Sequence, residues 1–180
     1  KLGKNRLDQI FDVMINNVIA FSTSQYGCRV VQKFLLESNE EHKVAILNEM
    51  YKEVISLSFN QFGNYVIQTI IENLDNKYAT PIYESIKGKI AEMSTHKFAS
   101  NVVEKSLYFG TEEQRNSIIN EVLDDEVNDS LAKLVSDKFG NYVIQKMIEY
   151  SNESMQEKIV DKIAINDNIN KQEGFGKSIF

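Results

Sequence analysis

Four short stretches of this chain place hydrogen-bonding side chains four residues apart. Asn64 and Gln68 make the plainest pair, and Asn141 and Gln145 repeat it letter for letter. Cys28 with Gln32, and Ser100 with Glu104, are looser copies. The second place of each stretch holds Arg29, Tyr65, Asn101 or Tyr142, and the third and fourth hold Val or Ile. On a helix, residues i and i+4 share a face while i+2 and i+3 turn largely away. The Val and Ile residues therefore predict a core-facing side, with the i and i+4 groups projecting opposite and the i+1 group beside them. Amides donate and accept at once, which suits the mixed edge of uracil; a carboxylate only accepts, so Glu104 suits the adjacent N–H donors of guanine. Tyrosine rings and a guanidinium plane stack on unpaired bases. The chemistry on offer is base recognition. A protein-binding groove would account for Tyr65 and Tyr142, but not for paired amides and a single carboxylate at fixed positions.

The helices that carry these groups belong to a repeat. The stretches begin at residues 28, 64, 100 and 141, each with an aromatic residue two places upstream: Tyr26, Phe62, Phe98 and Phe139. Gly27, Gly63 and Gly140 stand between, with Ala99 in the third copy. A period of this length marks a solenoid. Units near 5–39, 40–75, 76–111 and 112–152 are expected, each with two main helices and room for a short helical turn near its start. The apolar pairs Val18-Ile19, Val54-Ile55, Ile90-Ala91 and Leu131-Ala132 recur in register, as do Leu35, Ile71, Leu107 and Ile148, and all are assigned to the core. The wider last interval points to extra residues in the acidic stretch 124–130, where a longer loop costs little. No linker divides residues 1–180. Phe175-Gly176-Lys177 reads as a degraded fifth copy inside a capping half-repeat, 153–180. Ile10, Phe11 and Met14 are expected to form an apolar flank for a preceding repeat, so the chain reads as a fragment of a longer array.

Composition narrows the function classes. The net charge of −6 argues against holding nucleic acid mainly by neutralising phosphate. No run of eighteen apolar residues occurs, so no membrane span is expected. Cys28 is the only cysteine, which fits a reducing compartment and a cytoplasmic location. His42 and His96, the only histidines, lie in different units, so no enzyme, metal or cofactor is expected. His96 is assigned to the exposed surface. Lys33, Lys97, Lys105, Lys138 and Lys146 flank the motifs and are candidates for phosphate contact. The competing class is a protein-binding scaffold of the armadillo or HEAT type. An RNA reader should gather its basic residues along the motif face and its acids elsewhere, whereas a scaffold should spread charge evenly.

The stretches Tyr26–Gln32, Phe62–Gln68, Lys97–Lys105 and Phe139–Gln145 together resemble the Pumilio-homology (PUF) family of single-stranded RNA-binding proteins, over essentially the whole chain. The resemblance implies an all-α fold, a right-handed curved α-solenoid of PUF-type repeats. It also implies a role for each motif: Asn with Gln around a Tyr for uracil, Ser with Glu for guanine, Cys with Gln and an Arg for adenine. RNA runs antiparallel in that family, so the four units read 5′-UGUA-3′ with the C-terminal repeat at the 5′ base. They match the last four reading repeats of a full member and its closing half-repeat. The resemblance further implies binding to 3′ untranslated regions of messenger RNA, and repression or decay of that RNA through protein co-repressors recruited on the outer face.

Overall fold

Apolar spacing at helical period, with turn-forming residues between, yields thirteen helices among the described residues. The computed structural model describes the backbone of residues 4–172 and the side chains of residues 8–165. The first unit comprises α1 (Lys4–Met14), α2 (Val18–Ser22) and α3 (Gly27–Glu37). The second comprises α4 (Glu40–Tyr51), α5 (Val54–Phe59) and α6 (Gly63–Asn73). The third has α7 (Asn76–Ile86), α8 (Ile90–Ser94) and α9 (Ala99–Phe109), and the fourth α10 (Glu112–Leu123), α11 (Ser130–Ser136) and α12 (Gly140–Glu149). Helix α13 (Glu153–Gln172) follows. Each unit thus has three helices. The short one lies between the two long ones, not at the start of the unit, because the chain must turn twice to bring the motif helix back along its outer partner.

The helices stack in rows. The motif helices pack in sequence, α3 on α6, α6 on α9 and α9 on α12, while α4 packs on α7 and α10 on α13 in an outer row. One continuous core joins them. Leu35, Leu107, Val66, Val102 and Val143 are fully buried and Ile71 nearly so, whereas Ile148 is only half-buried. Val18, Val54, Ile90 and Leu131 are buried under the short helices, with Ile19, Ile55, Ala91 and Ala132 at the margin. The extra residues of the last unit fall largely where the sequence places them. The loop 124–129 joins α10 to α11 and includes Asp129 in the left-handed region at φ 49°, where two or three residues serve in the earlier units.

Two assignments need correction. Val30 is 49% exposed, unlike its equivalents Val66, Val102 and Val143. The third place of the motif points toward the preceding motif helix, and no described helix occupies that side of α3. Ile10, Phe11 and Met14 do not make an outward flank. Met14 is buried, and Phe11 stacks on His42 with ring centroids 4.0 Å apart, so this stripe seals its own unit against the next. The expected fifth copy at Phe175-Gly176-Lys177 lies outside the described residues.

Candidate nucleic-acid interface

Each motif helix starts on a side-chain cap that the sequence pattern did not single out. Asn60 Oδ1 accepts from the backbone N–H groups of Phe62 and Gly63 at 2.9 Å each, and Asp137 Oδ1 accepts from Phe139 and Gly140 at 2.8 Å each. Ser24 Oγ accepts from Gly27 N at 3.1 Å. In the third unit His96 takes this place. Its Nδ1 accepts from Phe98 N and Ala99 N at 3.3 Å each, and its ring rests on Phe59 at 4.6 Å. His96 is therefore a half-buried cap and not a free surface group. All four caps stand four places before their motif, satisfying N–H groups that a helix start leaves open. Gly63 and Gly140 let the helix begin hard against the short helix, since a Cβ there would lie 2.7 Å from the carbonyl oxygens of Leu57 and Leu134.

The hydrogen bonds from Gly140 and Phe139 hold the Asp137 carboxyl below the usual carboxylate range. A lowered folded-state value means stability that is complete above the usual range and lost as pH falls through the lowered one. Asp137→Ala should lower stability by about 1 kcal/mol in urea unfolding at neutral pH. Asp137→Asn, which copies Asn60, should cost little there and remove this part of the acid sensitivity.

The motif residues are brought into one row, but at two depths. Cys28, Asn64 and Ser100 are buried and Asn141 half-buried, whereas the sequence pattern places them beside their partners at the surface. Being in the first turn, each sits down against the cap segment. Asn64 Nδ2 donates to Asn60 O and Asn141 Nδ2 to Asp137 O, both at 2.8 Å. The fifth residue of the motif lies above. Gln68 Nε2 donates to Asn64 Oδ1 at 2.8 Å, and Gln145 Nε2 to Asn141 Oδ1 at 3.2 Å. Gln32, Gln68 and Glu104 are half-buried and Gln145 exposed. Beside them Arg29, Tyr65, Asn101 and Tyr142 are all exposed, and the Arg29 guanidinium lies 5.8 Å from the Tyr65 ring centre across the unit boundary.

Glu104 opens into a cleft of about 290 Å³ lined by Gln68, Asn101, Lys105, Tyr108, Lys146 and Tyr150. Burial pushes its carboxyl above the usual range, opposed by the charge of Lys146. Tyr108 and Tyr150, in edge-to-face contact at 5.1 Å, were not singled out by the motif spacing because neither recurs in the other units.

Charge is spread unevenly. The motif helices α3, α6, α9 and α12 carry four basic and four acidic residues, while the outer helices α4, α7 and α10 carry three basic and seven acidic. The motif-face lysines are themselves paired: Lys33 with Glu37 at 2.7 Å, Lys105 with Glu72 at 3.0 Å and Lys146 with Glu149 at 2.5 Å. Lys97 and Lys138 lie over Phe98 and Phe139 at the helix starts. Acids are thus displaced to the outer row, but the basic and acidic residues of the motif helices balance.

Comparison with known proteins gives the same repeat. The family model of the Pumilio-family RNA binding repeat matches four times, at residues 17–51, 53–87, 89–123 and 130–164. These repeats begin later in the helical cycle than the units drawn from the motif spacing. No protein of curated function matches the chain by sequence at a significant level. Among solved structures, PUF-8 in complex with PBE-RNA superposes with a TM-score of 0.87 at 25% identity, over 96% of this chain and 51% of that one. The Puf3 RNA-binding domain bound to Cox17 RNA 3′ UTR recognition sequence site B gives 0.81 at 33% identity, over 97% and 54%. The Puf4 RNA-binding domain bound to the HO endonuclease RNA 3′ UTR recognition sequence gives 0.84 at 29%, over 92% and 53%. The chain spans about half the length of these structures.

Proposed function

The chain belongs to the Pumilio family of RNA-binding repeat proteins, and on that premise we propose that it binds single-stranded RNA sequence-specifically, one base per unit, as 5′-UGUA-3′. The observation that carries this reading is the ordered row of unlike pairs on successive motif helices: Cys28/Gln32, Asn64/Gln68, Ser100/Glu104 and Asn141/Gln145. With RNA antiparallel, Asn141/Gln145 takes the 5′ uracil, Ser100/Glu104 the guanine, Asn64/Gln68 the second uracil and Cys28/Gln32 the adenine. The fifth residue of each motif meets the base edge. In the uracil units the Asn below fixes which way the Gln amide faces. Arg29, Tyr65 and Tyr142 enter between bases as stacking planes. This is a binding function carried by non-covalent contacts. The solved relatives bound to 3′ UTR sequences support a role on messenger RNA 3′ untranslated regions. Action in the cytoplasm, and repression through co-repressors that meet the acidic outer row, belong to the same proposal.

Because three of the five lysines that flank the motifs are paired with glutamates, few phosphates are neutralised. With no more than about three such contacts, the logarithmic salt slope of binding to labelled UGUA RNA should be no steeper than about −2. A slope beyond about −5, with a scrambled RNA bound equally well, would mean that charge and not base identity holds the RNA.

A further inference from the structure

Three units carry glutamine at the fifth place of the motif, yet the proposed register gives two of them to uracil and one to adenine. The structure holds these amides in two different ways. Gln68 and Gln145 are held from within their own unit: Asn64 and Asn141 have given their N–H groups to backbone carbonyls, so their oxygens accept only an N–H from the glutamine. Gln32 has Cys28 below it, whose thiol is turned to Gln25 O at 3.5 Å. Its polar neighbour is instead Thr69, which belongs to the next unit. Thr69 Oγ1 lies 2.8 Å from Tyr65 O and 3.3 Å from Gln32 Oε1. A hydroxyl has one hydrogen, and the shorter contact takes it, leaving lone pairs toward Gln32. Gln32 Nε2 meanwhile is buried with no partner. Turning the amide over resolves the mismatch with Thr69, since Nε2 then donates to Oγ1.

Resting on the base-reading proposal above, we infer that Thr69 is a positioning residue that orients the Gln32 amide, so that the adenine preference of the first unit is set by a side chain of the second. Adenine and uracil offer their donor and acceptor in opposite order along the edge. An amide locked in one orientation matches one order; an unlocked amide turns to match either. Lys105 and Lys146 occupy the same motif place as Thr69 in later units, and both line the cleft that holds Gln68 and Glu104. The sixth place of the second, third and fourth motifs therefore lies beside the reading residue of the unit before it.

The test titrates wild type, Thr69→Val and Thr69→Ser against UGUA and UGUU RNAs, with UUUA as a control at the second base. Wild type and Thr69→Ser should prefer adenine at the fourth position. Thr69→Val should lose at least about fivefold of that preference while guanine discrimination at the second position is unchanged. In a Gln32→Ala background, Thr69→Val should change the ratio no further. Thr69→Ala, a better helix former, replaces the Val variant if circular dichroism shows that one unfolded. Full adenine preference in a folded Thr69→Val or Thr69→Ala protein overturns the inference, as does an equal loss when Gln32 is already absent. A wild-type protein with no preference for adenine defeats the base reading itself, and this inference with it.

Discussion

Changing Ser100 to Asn together with Glu104 to Gln should turn the guanine unit into a uracil unit, so that the protein prefers UUUA over UGUA. Glu104 can accept from two guanine N–H groups, but meets the O4 of uracil with repulsion. The double variant recreates the Asn–Gln hydrogen bond seen at Asn64/Gln68 and Asn141/Gln145. The reversal should be worth about 1–3 kcal/mol by the scale of single base contacts. Because Ser100 is buried, both changes are needed. Glu104→Gln alone leaves an amide with no asparagine beneath it, and should discriminate weakly between the two bases. The wild-type preference for guanine should also fall as pH drops through the raised range of the Glu104 carboxyl, since protonation removes an acceptor. The double variant should show no such dependence. Titrations of both proteins against both RNAs at two pH values read all of this. A folded double variant that still prefers UGUA would mean that Glu104 does not read the base.

Removing the stacking planes should have a comparable or larger effect on affinity. Tyr65 and Tyr142 are 48% and 58% exposed and pack little into the core, so Tyr65→Ala with Tyr142→Ala should leave the fold intact. Each ring that stacks on a base contributes about 1–3 kcal/mol, and the two lie in non-adjacent units, so the losses should roughly add. Replacing Lys97 and Lys138 with Ala should weaken binding less than the tyrosine pair. Titration at fixed salt measures both. A protein indifferent to the tyrosines but crippled by the lysine changes would be held on the RNA by charge.

The sequence made the repeat, the solenoid and the row of motif side chains legible because each rests on a strict offset. Apolar pairs that recur at the same 36, 36 and 41-residue offsets as the motifs have one helical solution, and four motif copies place their fifth residues on one face. Other features were hidden for physical reasons. The helix caps use four chemically different side chains, Ser24, Asn60, His96 and Asp137, that share only an acceptor atom, so no residue identity repeats. The depth of Asn64 and Ser100 depends on how closely the short helix approaches the first motif turn, which periodicity does not encode. Val30 carries the apolar identity of its equivalents without their neighbour, and sequence identity alone reports the pattern and not the packing. Thr69 differs in type from Lys33, Lys105 and Lys146 at the same motif place, and its role appears only once two units are in contact.

The central claim is that successive units read successive bases in antiparallel order. It is tested most directly by titrating the wild-type protein against two RNAs of identical composition in the same flanks, one carrying 5′-UGUA-3′ and the other the reversed 5′-AUGU-3′. With a cytosine on each side of the four bases, the reversed sequence offers the units at most UGU in a shifted register, so UGUA should bind more tightly by at least the cost of one misread base, about 1–3 kcal/mol. Equal binding, or tighter binding of AUGU, would contradict it.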